Sequence, residues 1–329
     1  MAGLFIETGS IRKSFHPSRP ALHSRAMRLP LLSVICVAFT LAVTACGGQL
    51  AVGGKKGDGS VWRVESATTR VYLCGTIHLL RASDYPLPAT YETAYKDSQR
   101  LVFELPPGSQ HDPKLAAQMQ ERGSYPEGTE LSATIQPATW NALADWCTKH
   151  QVNAEAFKHL RPWLAALTIA ATEYAAVGAA PDRGVDSVFE ARMGKDGKLG
   201  EGLETVDLQI GLFSKLTEKQ QEQLLEQTLA EVKTLPTQFE RMITAWRTGD
   251  VDDLNKMMFE EAKNYPDLMD IFLVQRNASW IQRLEGFLSR TDHVMVLVGA
   301  GHLGGETGVL ALLEKKGYKV KKVKIGEGG

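Results

Sequence analysis

Two apolar runs, one near each end of the chain, finish in the same way, and this repetition limits the available folds more than any other feature. Tyr72-Leu73-Cys74 leads into Gly75-Thr76-Ile77-His78, and Val296-Leu297-Val298 leads into Gly299-Ala300-Gly301-His302. Short continuous apolar runs closed by glycine read as fully buried strands, which belong to parallel sheets covered on both faces. Ligands of such sheets bind beyond the carboxyl ends of the strands. The two histidines are therefore expected at one rim of one sheet. A third run, Leu101-Val102-Phe103, ends in Glu104 and adds a carboxylate to the same rim.

The surrounding pattern supports an α/β fold. Val61-Trp62-Arg63-Val64 and Val71-Tyr72-Leu73-Cys74 flank Ser66-Ala67-Thr68-Thr69 as the arms of a hairpin. Pro88 to Arg100 has helical composition and precedes the Leu101–Glu104 strand. Near the other end, His293 to Val298 reads as a strand, Gly308 to Lys316 as a helix and Lys319 to Ile325 as a final strand. The lysines of that last strand suit an edge, where charge discourages unwanted strand pairing. Between these units the reading is mostly helical: Pro137 to His150, Pro162 to Val177, a capping box at Thr217 opening a helix to about Leu235, then Thr237 to Thr248, Asp250 to Lys263 and Leu268 to Ser289. The expected architecture is a central, mostly parallel sheet flanked by helices, with a large helical insertion between the N- and C-terminal strand units.

The N-terminus reads as an export signal. The apolar run Leu29 to Val43 follows Arg25 and Arg28 and is shorter than the ~20 residues a spanning helix needs. Val43-Thr44-Ala45-Cys46-Gly47 resembles a lipobox, so residues 1–45 are expected to be removed, with translation starting at Met1 or Met27. Cys46 would then carry a diacylglycerol and palmitate, residues 46–60 would form a tether, and residues 61–329 the domain. The expected location is the cell envelope, facing the periplasm or exterior, with the outer membrane favoured because Gly47 replaces the Asp that retains lipoproteins at the inner one. With 37 Lys and Arg against 38 Asp and Glu, no global field draws the chain to nucleic acid. Cys74 and Cys147 are expected as buried free thiols.

Two imidazoles and a carboxylate at three strand ends suit a catalytic divalent ion that keeps a position open for water. The zinc-protease helix motif His-Glu-x-x-His is absent from the sequence, so such a site would be assembled from distant strand ends. A metal-free alternative uses His78 as general base with Glu104 setting its tautomer. Gly299 to Gly305 as a phosphate cradle is disfavoured, since it lacks the Walker Lys and the dinucleotide glycine spacing.

Several further motifs fall in a fixed order along the chain. These are Asp84-Tyr85-Pro86-Leu87-Pro88 after the first histidine, Phe103-Glu104, Arg161-Pro162-Trp163-Leu164, Leu203-Glu204-Thr205 with Gln209, Arg276-Asn277 with Trp280, and Gly308 to Leu313 with Gly317-Tyr318 after the second histidine. Together with the two Gly-x-x-His blocks they resemble the TraB/GumN family from Val61 to Val323, departing at Gly304, where many members have Pro. The resemblance implies kinship with the metal-dependent Tiki proteases and with erythromycin-esterase-like and ChaN-like proteins. It implies His78, Glu104 and His302 as catalytic residues and metal ligands, for Mn, Co or Zn. Glu204, Arg276 and Asn277 join them as further catalytic candidates, since a carboxylate and a guanidinium suit orienting a metal-bound water or holding an oxyanion. Trp163 and Trp280 are expected to be core anchors.

The expected function is a metal-dependent, peptidase-like hydrolase. The alternative is a non-catalytic lipoprotein that binds or sequesters an extracellular peptide or small ligand. Replacing Cys46 with Ala is expected to abolish incorporation of labelled palmitate and to move the protein from the membrane to the soluble envelope fraction. Unchanged labelling would remove the lipid anchor.

Overall fold

The computed structural model describes residues 57–262 and 265–326. The signal segment, Cys46 and most of the tether lie outside the described residues. One six-stranded sheet organises the domain, from β1 (Val61–Glu65), β2 (Arg70–Thr76), β3 (Arg100–Phe103), β4 (Leu199–Gly202), β5 (Val294–Gly299) and β6 (Val320–Lys322), in the order β4-β3-β5-β2-β1-β6. The four strands from β4 to β2 are mutually parallel, and β1 and β6 add an antiparallel edge. The parallel half has the apolar strands: every residue of β5 is buried, as are all of β2 and β3 beyond their first arginines. Fully apolar strands need cover on both faces, and helices supply it.

These helices are α1 (Ala89–Asp97), α2 (Pro113–Gly123), α3 (Leu131–Thr134), α4 (Pro137–His150), α5 (Pro162–Ala176), α6 (Val185–Asp196), α7 (Val206–Ser214), α8 (Glu218–Glu231), α9 (Leu235–Thr248), α10 (Val251–Ala262), α11 (Pro266–Met269), α12 (Gln275–Leu288) and α13 (Val309–Lys315). Their starts follow local chemistry. Pro137 and Pro162 open α4 and α5, where the missing N–H costs nothing. Thr217 and Gln220 close a reciprocal capping box on α8. None of the described helices is long and apolar enough to cross a membrane.

Three local readings change. The helix expected from Thr217 to about Leu235 stops at Glu231, and α9 begins at Leu235 with Pro236 in its first turn. The single helix expected over Leu268–Ser289 is interrupted by a π turn at Asp270–Val274. Within the mostly helical span lies one strand that the sequence reading did not place, β4, which pairs with β3 in register Phe103 to Gly202. Its Leu199-Gly200-Glu201-Gly202 sequence has neither apolar alternation nor a buried run, which hides a strand from pattern reading.

The edge strand is shorter than expected, and Lys322 is more than a charged fringe. Its Nζ donates to the carbonyls of Thr248 at 2.6 Å and Gly249 at 3.2 Å, tying β6 to the end of α9. The tether's last residues also belong to the folded body. Ser60 is fully buried, with its Oγ donating to Trp246 O at 2.8 Å and its carbonyl accepting from Gly75 N at 2.7 Å. Cys74 and Cys147 are buried free thiols.

Gly184 permits the closest approach of helix to sheet near the first histidine. It caps α6, and a Cβ there would run into the backbone carbonyl of His78. Val185 N donates to Ile77 O at 3.1 Å across the same contact. Gly184→Ala is expected to lower stability by about 2–4 kcal/mol in urea unfolding. Gly194→Ala, on the same helix with open space around it, should hold or raise the midpoint.

Candidate functional site

The four parallel strands each deliver one side chain to their common carboxyl rim. Across the sheet from β4 to β2 the order is Glu204, Glu104, His302, His78, each within a few residues of its strand's end. The β3–β4 ladder continues past the strands, with Leu203 N donating to Phe103 O and Glu204 N to Glu104 O, both at 2.8 Å. This continuation keeps the two glutamates abreast. Helices complete the rim. Arg276 and Asn277 come from the first turn of α12, Asp186 from the first turn of α6, and Gln209 from α7.

Arg276 lies at the centre, only 4% exposed, with five N–H groups to place. Nε donates to Glu204 Oε1 at 2.8 Å, and Nη2 donates to Glu104 Oε2 at 2.6 Å and Glu204 Oε2 at 2.9 Å. Nη1 donates to Phe272 O at 3.1 Å and to His302 Nε2 at 3.1 Å. All five are thereby committed, so Arg276 has no donor left for a substrate oxyanion, the role suggested from sequence. It acts instead as a clamp.

Glu204 is equally saturated. Besides Arg276 it accepts from Trp280 Nε1 at 2.9 Å and Gln209 Nε2 at 3.1 Å. Glu104 differs. Its Oε2 takes Arg276 and Gln209, but Oε1 takes one donor, the backbone N–H of Gly299 at 2.8 Å, and keeps a lone pair. That oxygen lies 3.9 Å from both His78 Nε2 and His302 Nε2. The N–H of Gly299 and that of Gly305, which donates to Asp252 Oδ1 at 2.8 Å, are thus both bonded to carboxylates, which leaves neither for the phosphate of a cradle at this turn.

Each histidine is held by its Nδ1. His78 Nδ1 meets Asp186 Oδ1 at 2.8 Å, and His302 Nδ1 meets Asn277 Oδ1 at 2.6 Å. Amide and carboxylate oxygens only accept, so both Nδ1 atoms carry the proton and both Nε2 atoms face the rim. The orienting partner of His78 is therefore Asp186 and not Glu104, a correction to the metal-free reading. His302 Nε2 accepts from Arg276, whereas His78 Nε2 is buried without a hydrogen-bond partner.

Burial disfavours the His78 imidazolium, yet Asp186 and then Glu104 outweigh it and raise its pKa above the ordinary imidazole value. Burial, Arg276 and His78 together push His302 well below that value, so His302 is neutral. Burial raises the Asp186 carboxyl, but His78 at hydrogen-bond distance wins and lowers it.

The net charge of this set is of the sign a divalent cation would need. Three buried carboxylates (Glu104, Glu204 and Asp186) stand against one guanidinium, leaving two negative charges when both imidazoles are neutral. His78 Nε2 and Glu104 Oε1 supply open lone pairs, whereas the lone pair of His302 Nε2 is taken by Arg276 Nη1 and would serve an ion only with that hydrogen bond broken. The hydrogen bonds behind the imidazoles are those that orient metal-binding histidines. Among the described residues no group of three His, Cys, Asp or Glu side chains is already drawn together enough to hold an ion. The 3.9 Å from Glu104 Oε1 to each imidazole Nε2 exceeds the about 3.4 Å that separates ligands on one tetrahedral ion at ~2.1 Å.

The six catalytic candidates named from the sequence, His78, Glu104, His302, Glu204, Arg276 and Asn277, meet at this rim, while Cys46 lies outside the described residues. Sequence reasoning missed Asp186 as the partner of His78; Val185-Asp186 follows a glycine at a helix start, where a carboxylate is common for capping reasons alone. Gln209 was noted as a motif residue without a role. Trp280, expected as a core anchor, bonds Glu204 and lays its ring 4.5 Å from the His302 ring. Trp163 is a core anchor, stacked on Phe213.

The sheet and rim define an α/β protein with a buried His-Glu-Arg cluster at the carboxyl ends of parallel strands. Residues 60–322 match the model of the TraB/PrgY/gumN family, most of the chain, and the chain belongs to that family. No curated protein and no solved structure matches it.

Removing the clamp leaves two buried carboxylates uncompensated. Arg276→Met is expected to destabilise the domain by about 3–5 kcal/mol in urea unfolding. Adding Glu204→Gln to that variant should recover part of the loss, since the two positions are directly coupled.

Proposed function

We propose that this chain is a metal-dependent hydrolase of peptide-like substrates, anchored in the cell envelope through Cys46. The observation that carries the reading is a saturated polar cluster left open at two facing atoms. His78 Nε2 has no partner and Glu104 Oε1 keeps a lone pair 3.9 Å away, while their neighbours have theirs filled. Unpaired buried groups are costly, so two open atoms facing each other inside an otherwise filled cluster support a role in holding a ligand.

His78, Glu104 and His302 would hold the ion. When bound, a divalent ion lowers the pKa of water toward neutrality and polarises a carbonyl. The residues of the chain do the rest. Asp186 fixes the His78 ring with Nε2 toward the rim and stabilises it if it takes a proton. Asn277 does the same for the orientation of His302. Gly299 N–H, Gln209 and Arg276 hold Glu104 in one rotamer, aimed at both imidazoles. Glu204 acts through Arg276 and is a positioning residue. Burial of the rim excludes bulk water, which strengthens each of these interactions.

A metal-free hydrolase is favoured by one observation, the 2.8 Å His78–Asp186 pair, which is the base-and-orienter arrangement of general-base catalysis. The two readings separate in one experiment. Elemental analysis of the purified domain should find about one divalent ion per chain, and His78→Ala and Glu104→Gln proteins that remain folded by circular dichroism should lose it. Turnover of a peptide library should fall at least ~100-fold in the same variants and on chelation. Turnover that survives chelation but not His78→Ala would favour the metal-free route. Peptide capture with no product in any form would leave the ligand-sequestering alternative.

A further inference from the structure

Next to His78 lies a cavity of about 40 Å³ that the polar cluster does not account for. The end of β2, with Thr76 and His78, forms one wall. Met242 of α9 and Leu254, Met257 and Met258 of α10 also line it, together with Tyr174 of α5. Gly301, in the turn that carries His302, lets Met258 pack against it, since a Cβ there would strike the Met258 sulfur.

Size and lining limit what can enter. A single water needs roughly 10–15 Å³ on this measure, so the space takes about three water-sized groups. Three or four carbons of a branched aliphatic side chain fill it. Polar side chains for a water come from Thr76, His78 and Tyr174, whereas α9 and α10 offer only thioethers and a leucine, which suit an apolar group better. Methionines adapt to the shape of an apolar guest.

Two polar atoms of the lining residues are nevertheless buried without a hydrogen-bond partner, Thr76 Oγ1 and His78 Nε2. Thr76 is 1% exposed and His78 9%. The imidazole is explained by the chemistry proposed above; the hydroxyl is not. An unpartnered buried hydroxyl destabilises the free protein, and a valine of the same shape would not. A hydroxyl bordering an apolar pocket beside a reactive imidazole is placed to meet the backbone amide of a chain whose side chain fills that pocket.

We infer that this cavity is the subsite for a short branched aliphatic side chain of the substrate, Val or Leu in size, with Thr76 Oγ1 hydrogen-bonding the adjoining backbone amide. Naming that side chain deepens the hydrolase reading, on which its status as substrate rests. Thr76 is a binding and positioning residue, and the three methionines with Leu254 set the size limit.

The test reads binding without turnover. The mature domain, labelled with ¹³C at the methionine methyls and assigned by single Met→Leu variants, is titrated with N-acetyl-leucine methylamide and its Val, Trp, Asp and Lys counterparts. The Leu and Val compounds should shift the Met242, Met257 and Met258 signals saturably, and the Asp, Lys and Trp compounds should not. Thr76→Val should keep or raise the unfolding midpoint while weakening the Leu compound about 2- to 10-fold. Leu254→Phe should fill the cavity and abolish the shifts. Absence of shifts with the Leu compound, equal shifts with Asp, or a Thr76→Val protein that loses stability but not affinity would overturn the proposal. Binding with this selectivity but without cleavage of any peptide would count against the hydrolase reading alone.

Discussion

Arg276 is the contact on which the rest of the rim depends. Its guanidinium spends every N–H on two glutamates, one imidazole and one carbonyl, and it is shut away from water while doing so. Two carboxylates brought abreast by neighbouring strands would repel strongly in a dry interior, and a planar fork of donors is the group that can hold them at fixed angles. Lysine, with one nitrogen, could not reach all the same acceptors. The clamp thus converts a liability of the β3–β4 ladder into a rigid floor beneath the two histidines.

Rigidity of that floor separates residues that could have been grouped together. Glu104 and Glu204 are the same amino acid at equivalent strand ends, but the backbone N–H of Gly299 reaches only Glu104 and the Trp280 indole reaches only Glu204. The first keeps a lone pair toward the histidines and the second has none to give. His78 and His302 divide in the same manner: both are fixed through Nδ1, but Arg276 sits on the Nε2 of one alone. Equivalent positions in the chain carry unequal chemistry because their neighbours differ.

The parts of this arrangement that were readable in the sequence are those set by short-range pattern. β2, β3 and β5 are apolar runs with a polar residue waiting at the end, and α4, α5 and α8 begin with prolines or a capping box. The convergence of His78, Glu104 and His302 followed from one rule about parallel sheets. What pattern could not supply was pairing. Asp186 reaches His78 because Gly184 lets α6 close on the strand end, a fact of three-dimensional approach with no periodic signature. β4 escaped because its stability comes from its place beside β3 and not from its own residues. The division of labour between Glu104 and Glu204 was hidden for the same reason: donors contributed by α7, α12 and β5 decide it.

The sheet order carries a consequence for how the molecule comes to be. β5 lies between β2 and β3, although it follows both by most of the length of the domain. Until that late segment slots into the middle, the flanking strands have no partner on their inner edges, Glu104 lacks the Gly299 amide, and His302 is elsewhere. Such long-range pairing is slow to form. A partly folded chain therefore has no assembled rim, and any chemistry the rim performs begins only when the whole sheet has closed.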